Sequence, residues 1–372
     1  MIDMGYQNVN AQTATSSSGK IAQNGTATSA LSFNGTEDLG GNTKANFQIE
    51  FNPDLVGGTG FSGVNAVSGA ATGAMGQVFL GLSSATAGQV KLGRVNTPAL
   101  SAFLTGSVFG TALGSGYSAG QNIYSAAAAG TLHTQTYPTR FNNAVEYTTP
   151  SFSGVTGRLY YVAKNDKDTG TDSVKNNAGV TDLGLAYNNG PLNVAFSSQT
   201  LKAGVNQLGV GATQYNSTGD NKTVLFGQDQ PLGYSNSKLV QNTLAANYNF
   251  GAATVYGSLW NTKESATHSD CGCTEVSAKR SGSMIGAKYA VSSAVDLMAS
   301  YAKVSDKMSA ADYTAADRSG MLPTDAKIFG LGADYKLSAR TAVYARYADL
   351  NPNTGGTNKG SKTTAVGVRH AF

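Results

Sequence analysis

Few residues of this chain could carry covalent or metal chemistry. Histidine occurs only as His133, His268 and His370, and cysteine only as Cys271 and Cys273. A nucleophile needs a base beside it and a third group to orient that base. No Ser-His-acid spacing of this kind stands out, so no enzyme is expected. The two cysteines flank a single glycine in a polar segment. They could form a strained local disulfide, hold a soft metal with outside help, or be an idle loop pair. The last reading is preferred, since two ligands make no zinc site and such tight rings are uncommon. GTALGSG, Gly110 to Gly116, has the glycines of a phosphate loop without its Lys-Ser/Thr pair, and is read as a flexible stretch. No cofactor or metal is expected. What remains is the chemistry of fixed charge, and the question becomes which elements position those charges.

The charges are sparse. Asp, Glu, Lys and Arg make up 13% of the residues, about half the roughly 25% usual for soluble domains. The net charge of +4 is small and spread out, which argues against a nucleic-acid partner. Mean hydropathy is nonetheless slightly negative, at −0.19, because Asn, Gln, Ser, Thr and Gly fill the gap. With 18 Tyr and 46 Gly against 8 Pro, the composition suits a wall with one apolar and one wet face.

The periodicity is that of strands. In TKANFQIEF, Ala45, Phe47, Ile49 and Phe51 alternate with Lys44, Asn46, Gln48 and Glu50. The last stretch, TTAVGVRHAF, places Thr364, Val366, Val368, His370 and Phe372 on one face, and ends on an aromatic as a membrane-interface strand would. Four hairpins repeat one plan, with a small residue two before Tyr187, Tyr248, Tyr289 or Tyr335, then a short turn and a second strand. The recurring Tyr reads as an interfacial girdle. No run approaches the roughly 18 apolar residues of a transmembrane helix. Met1 leads directly into IDMGYQNV, without the basic start and apolar core of a signal peptide. We count sixteen strands, joined alternately by short turns and by longer polar loops, the latter near 164–180, 202–240, 262–280, 304–325 and 350–361. In lipid such a sheet must close, the first strand against the last, because an open edge leaves backbone groups unpaired. The expected fold is an all-β, antiparallel transmembrane barrel with an aqueous lumen, one domain over residues 1–372.

Alternation sends Lys44, Arg140, Arg158, Lys288, Lys336, Arg346 and Arg369 inward, with Glu50, Glu146, Asp182, Asp296 and Asp334. Between Asn96 and Pro138 lies a Gly/Ser/Ala/Thr-rich segment without a single Asp, Glu, Lys or Arg.

NGTEDLGGNTKANFQIEF, VFLGLSSATAGQVKLGR, RFNNAVEYTTPSFSGV, the G-A-x-Y hairpins and the terminal VGVRHAF together resemble the general diffusion porins of Gram-negative outer membranes, beta-proteobacterial type. The resemblance covers nearly the whole chain. It implies a homotrimer in outer-membrane lipid, in contact with lipopolysaccharide, with short periplasmic turns, long extracellular loops and a third loop folded into the lumen. The charge-free segment 96–138 falls where that loop belongs. Arg94 and Arg140 match two positions of the family's arginine ladder, and Glu50 matches an accompanying acid. Ala30 and Gly76 stand where relatives often carry further arginines. The resemblance also implies several residues before IDMG.

On this reading the protein is a passive channel for small hydrophilic solutes, weakly anion-preferring because basic wall residues face a neutral loop. Strict alternation places Arg94 with Val90 and Leu92, so either a bulge re-aims it or Lys91 is the lumenal charge of that strand; the resemblance favours Arg94. A substrate-specific channel, with Phe103, Phe109, Tyr117 and Tyr124 lining a track, and a structural or adhesive barrel are the alternatives.

Overall fold

A computed structural model describes residues 1–11, 18–57, 60–62, 76–117, 123, 140–162, 178–203, 214–215, 221–225, 228–230, 234–268, 276–309, 325–353 and 360–372. The alternating stretches become strands. β1 (Ile2–Ala11), β2 (Ser18–Gln23), β3 (Leu31–Gly40), β4 (Thr43–Asp54), β5 (Gly60–Ser62), β6 (Val78–Ser84) and β7 (Gly88–Asn96) precede the one α-helix among the described residues, α1 (Pro98–Gly106). β8 (Arg140–Thr148), β9 (Val155–Val162), β10 (Ala178–Asn189) and β11 (Leu192–Ala203) follow. Then come the short β12 (Gln214–Tyr215), β13 (Asn221–Leu225) and β14 (Gln228–Gln230). The second half is β15 (Tyr234–Asn249), β16 (Ala253–His268), β17 (Val276–Ala290), β18 (Val295–Ser309), β19 (Asp325–Lys336), β20 (Thr341–Asn353) and β21 (Ser361–His370).

Antiparallel pairing runs unbroken from β3 through β4, β6 to β11 and β15 to β21, then on to β1 and β2. The first and last strands pair as expected, Ile2 opposite His370 and Ala11 opposite Ser361. The sheet has 17 strands against the 16 read from the sequence. The additional one is β2, which returns along β1 before β3 begins. β2 and β3 form its two edges, so continuous pairing does not close the wall. Side-chain and backbone bonds work at this seam instead. Ala30 N donates to Met1 O at 2.9 Å and Asn24 N to Asp3 O at 3.1 Å. The buried Asp3 carboxylate accepts from Thr26 N at 2.7 Å, Ala27 N at 2.8 Å and, from β20 two strands away, Tyr344 Oη at 2.6 Å.

Short and long connections alternate as expected. The connections 41–42, 85–87, 149–154, 190–191, 250–252, 291–294 and 337–340 all lie at one end. Gly41 and Asn42 have φ of +57° and +62°, the pair of positive values that a type I′ hairpin turn requires. At the other end β15 and β16 run 16 residues, and β17 and β18 run 15. A tilted membrane strand needs only about 9–11. These strands therefore rise beyond the hydrocarbon and take up part of what reads as polar loop at 202–240, 262–280 and 304–325.

The two faces separate as the alternation requires. Leu80, Leu82, Leu183, Leu185, Leu259, Ile285 and Val366 point outward and are more than half exposed. So much open apolar surface fits lipid, not water. Tyr248, Tyr289 and Tyr335 are likewise exposed on this face near the short turns. At the chain's end, the rings of His370 and Phe372 meet edge to face at 4.7 Å.

Candidate functional site

After β7 the chain leaves the wall. Thr97 caps α1, its Oγ1 accepting from Leu100 N at 3.2 Å, with Pro98 in the first turn, where no N–H is missed. The start of the helix meets Asp182 of β10, which is fully buried. Its Oδ2 accepts from Ala99 N at 2.9 Å and Gln199 Nε2 at 2.8 Å, and its Oδ1 from Ser197 Oγ at 2.7 Å. A carboxylate placed there also complements the positive end of the helix dipole.

The helix then runs along the inner wall of β10, β11, β15 and β16. Close approach is possible because small residues meet: a Cβ on Gly106 would stand 2.6 Å from Gly257 O and 2.9 Å from Ala245 Cβ. Asn247 Nδ2 donates to Thr105 O at 2.8 Å, and further on Ser300 Oγ donates to Gly114 O at 2.9 Å. Replacing Gly106 by alanine should push α1 off the wall. The expected cost in denaturant unfolding is about 1–3 kcal/mol, with a broader spread of single-channel conductance.

Facing the start of this loop is a cluster of charge. Glu146 of β8, its side chain only 1% exposed, pairs with Arg158 of β9 and, at 3.5 Å, with Lys91 Nζ of β7. Arg158 also donates to Ser101 Oγ of α1 at 2.6 Å and to Asn96 O at 2.8 Å. Arg140 donates through Nε to Asn96 Oδ1. Lys91 Nζ lies 4.9 Å from the centre of the Phe79 ring, so its charge rests on an aromatic face.

The site residues expected from the sequence thus divide. Lys91, Arg158 and Glu146 come together, while Arg140 lies across the pairing irregularity, opposite Asn96 and linked to the cluster through it. Lys44 and Glu50 share the inner row of β4, some way off, where Gln48 Nε2 donates to Glu50 Oε2 at 3.2 Å. A Cβ on Gly76 would lie 1.9 Å from Glu50 Oε1, so the Glu50 carboxylate fills the place of any side chain there. Arg369 stands opposite Asp3 in the register, at the seam.

Arg94 needs correcting. The pairing irregularity between Gly93 and Val95 adds its extra residue on β8, around Asn143 with φ +55°, and leaves Arg94 opposite Val78. Arg94 thus keeps its place in the row of Val90 and Leu92, with Nη1 donating to Asn142 Oδ1 at 3.0 Å. Lys91 is the charge that β7 sends to Glu146. The aromatic track is corrected too. Phe103, Phe109 and Tyr117 are 0%, 5% and 4% exposed, because they pin the loop instead of lining a path. The rings of Phe103 and Tyr117 meet at 4.9 Å, tilted by 40°, and the Arg346 guanidinium lies 5.6 Å from the centre of the Phe109 ring. Arg346 is itself held by Asp334 at 2.7 Å, as Lys336 is by Asp296 at 2.9 Å. Tyr124, His133, Cys271 and Cys273 lie outside the described residues.

Sequence reasoning placed Asp182 in the lumen but missed that it anchors a helix. It also missed α1, although Thr97-Pro98 ahead of ALSAFL is a capping signal. Nothing in the spacing of Asn96 marks it as the acceptor for two arginines.

Among known proteins, a profile described as "Gram-negative porin" matches residues 1–355. Outer membrane porin protein 32 of Delftia acidovorans is 27% identical over 389 residues, an alignment covering 100% of this chain and 92% of that protein. An outer membrane porin protein of Bordetella pertussis is 29% identical over 374 residues, covering 91% of this chain and 80% of that one. The solved structure of an anion-selective porin from Comamonas acidovorans superimposes with a TM-score of 0.70 at 26% identity, covering 100% of this chain and 97% of that one. With strands that alternate apolar and polar faces, an inward helix and charges gathered beneath it, this chain belongs to the Gram-negative porin family, as a β-barrel of the outer membrane.

Proposed function

We propose that this passive outer-membrane channel is weakly anion-preferring, with Lys91, Arg140 and Arg158 as the basic side of its constriction and the charge-free segment 96–138 as the opposite side. The observation that carries this reading is the sharing of Glu146 between two cations, Lys91 and Arg158. With Arg140 added and no carboxylate in the facing segment, the cluster keeps a positive surplus. A low-dielectric wall focuses such a surplus on passing ions. Its reach is about 10 Å at 0.1 M salt, so the preference is salt-sensitive. The similar Comamonas porin is named anion-selective. The reading includes a single barrel domain, small hydrophilic solutes and anions as cargo, and a homotrimer. An OmpT structure of Vibrio cholerae with this fold is a trimer form.

The zero-current potential of the protein in a planar bilayer across a salt gradient tests it. The wild type should reverse toward the chloride potential, with conductance steps in threes. Replacing both Lys91 and Arg140 by glutamine should bring the reversal close to zero. Reversal of the wild type toward the cation potential would overturn the proposal.

A further inference from the structure

The inner face of β20 carries two long side chains that are buried although they face the lumen, Tyr344 and Arg346. Tyr344, Gly367 of β21 and Gly5 of β1 occupy one row of the register. The tyrosine ring lies along that row, because neither glycine puts a side chain in its way. A Cβ on Gly367 would stand 2.4 Å from Tyr344 Oη, and one on Gly5 3.0 Å from it. A third glycine, Gly25 of the turn between β2 and β3, would bring its Cβ to 2.4 Å from the same oxygen. The phenol can therefore reach across β21 and donate to Asp3 Oδ1 at 2.6 Å. Asp3 Oδ2 meanwhile holds Thr26 N and Ala27 N of the turn. One ring thus ties β20, β1 and the seam turn together from inside.

Arg346 carries the connection onward to the inward loop. Its guanidinium lies 5.5 Å from the centre of the Tyr344 ring and 5.6 Å from that of Phe109. A cation at such distances is attracted by both rings. Asp334 at 2.7 Å and the carbonyls of Ala333 and Ala345, at 3.1 and 2.9 Å, fix its position. Phe109 in turn sits over Gly332 of β19, the residue opposite Arg346 in the register. A Cβ there would stand 2.7 Å from Phe109 Cε1 and 3.0 Å from Arg346 Nη1. Phe109 of the loop, Arg346 and Tyr344 of the wall and Asp3 at the seam therefore make one continuous line of contacts. Asp182 and Arg158 grip α1; this line reaches the stretch that follows it.

We propose that Tyr344 and Arg346 are positioning residues of the pore, through which the bonding of Asp3 at the seam sets how firmly the stretch after α1 is seated. The Asp3 carboxylate fixes the phenol, the ring steadies the guanidinium, and the guanidinium steadies Phe109. A phenol released from Asp3 is free to turn, and Arg346 then loses one of its two aromatic partners. Coupling between two places is reciprocal. Unseating Phe109 must therefore loosen the seam, just as unlatching the seam loosens the loop. The sign of the ion preference plays no part in this relay.

Two measurements on the detergent-purified protein test both directions: protease cleavage within the loop segment, and amide hydrogen exchange at Thr26 and Ala27. Tyr344→Phe keeps the ring and removes only the bond to Asp3, and should speed cleavage about tenfold, as loss of a hydrogen bond to a charged group implies. Ser29→Ala removes a different seam bond, that from Asp3 N to Ser29 Oγ at 3.0 Å. It leaves the phenol in place, and cleavage should stay at the wild-type rate. Phe109→Leu, in the loop, should speed exchange at Thr26 and Ala27 several-fold while the ladder between β8 and β9 exchanges as in the wild type. Wild-type cleavage in Tyr344→Phe, or an equal rise in Ser29→Ala, would overturn the proposal. Should Tyr344→Phe fail to fold, Phe109→Leu decides alone. Unchanged exchange at the seam in that variant, or faster exchange in both places alike, would leave no relay between loop and seam.

Discussion

Replacing Arg158 by alanine should release the inward loop and raise and broaden the single-channel conductance. The guanidinium has partners on three sides: Glu146, Ser101 Oγ of α1 and Asn96 O at the end of β7. Its removal leaves the Glu146 carboxylate with only Lys91 at 3.5 Å, in a place where water does not reach it. Breaking such a pair by deleting one partner costs roughly 3–5 kcal/mol. Arg158→Lys tests the geometry apart from the charge. A single ammonium cannot serve three acceptors in fixed directions as the planar fork does, so conductance should be noisier while ion preference stays near that of the wild type. Conductance unchanged in Arg158→Ala would show that the loop is held elsewhere.

Asp182→Ala should have the second largest effect, and through the other end of the same helix. The carboxylate accepts three hydrogen bonds, from Ala99 N, Gln199 Nε2 and Ser197 Oγ. Alanine leaves all three donors without that acceptor inside the wall. Each buried donor left unsatisfied costs about 1–3 kcal/mol, and the helix also loses a negative charge at its positive end. Protease cleavage within the loop segment, compared with the wild type, measures the release directly. Asp182→Asn keeps one acceptor oxygen but turns an amide toward donors, and should fall between. Because Asp182 and Arg158 grip the same helix, the double variant should lose less than the sum of the two single losses.

The strands were legible because a period of two is enforced by the medium on each side. In β4 every odd residue from Ala45 to Phe51 meets lipid and every even one meets water, and no local preference competes. The alternation of short and long connections was legible for the same reason. The extra strand β2 was not: SGKIAQ alternates weakly and owes its form to pairing with β1. The charged cluster was half legible. Alternation alone placed Arg140, Arg158 and Glu146 inward, but it could not say which of them would be spent on holding the loop. That depends on Asn96 and Ser101, whose partners are 44 and 57 residues away. Resemblance drew Arg94 inward, and the register kept it in the row of Val90 and Leu92. The aromatic residues Phe103, Phe109 and Tyr117 misled because a ring that lines a path and a ring that fastens a loop look alike until burial is known.

The seam at Asp3 bears on how the protein comes to be assembled. Its carboxylate bonds Tyr344, 341 residues further along the chain, and β1 lies against β21, the last strand of all. Every other strand-to-strand ladder of the wall joins neighbours in sequence order, apart from the intervals taken by loops. These can form one after another as the chain is delivered. The ladder between β1 and β21 must wait for the final residues, and it bears the largest loop-closure entropy of any contact in the molecule. Until that moment β1 and β21 both expose unpaired backbone to the bilayer. The wall therefore gains most of its cooperativity in one late event, when the beginning and the end of the chain meet.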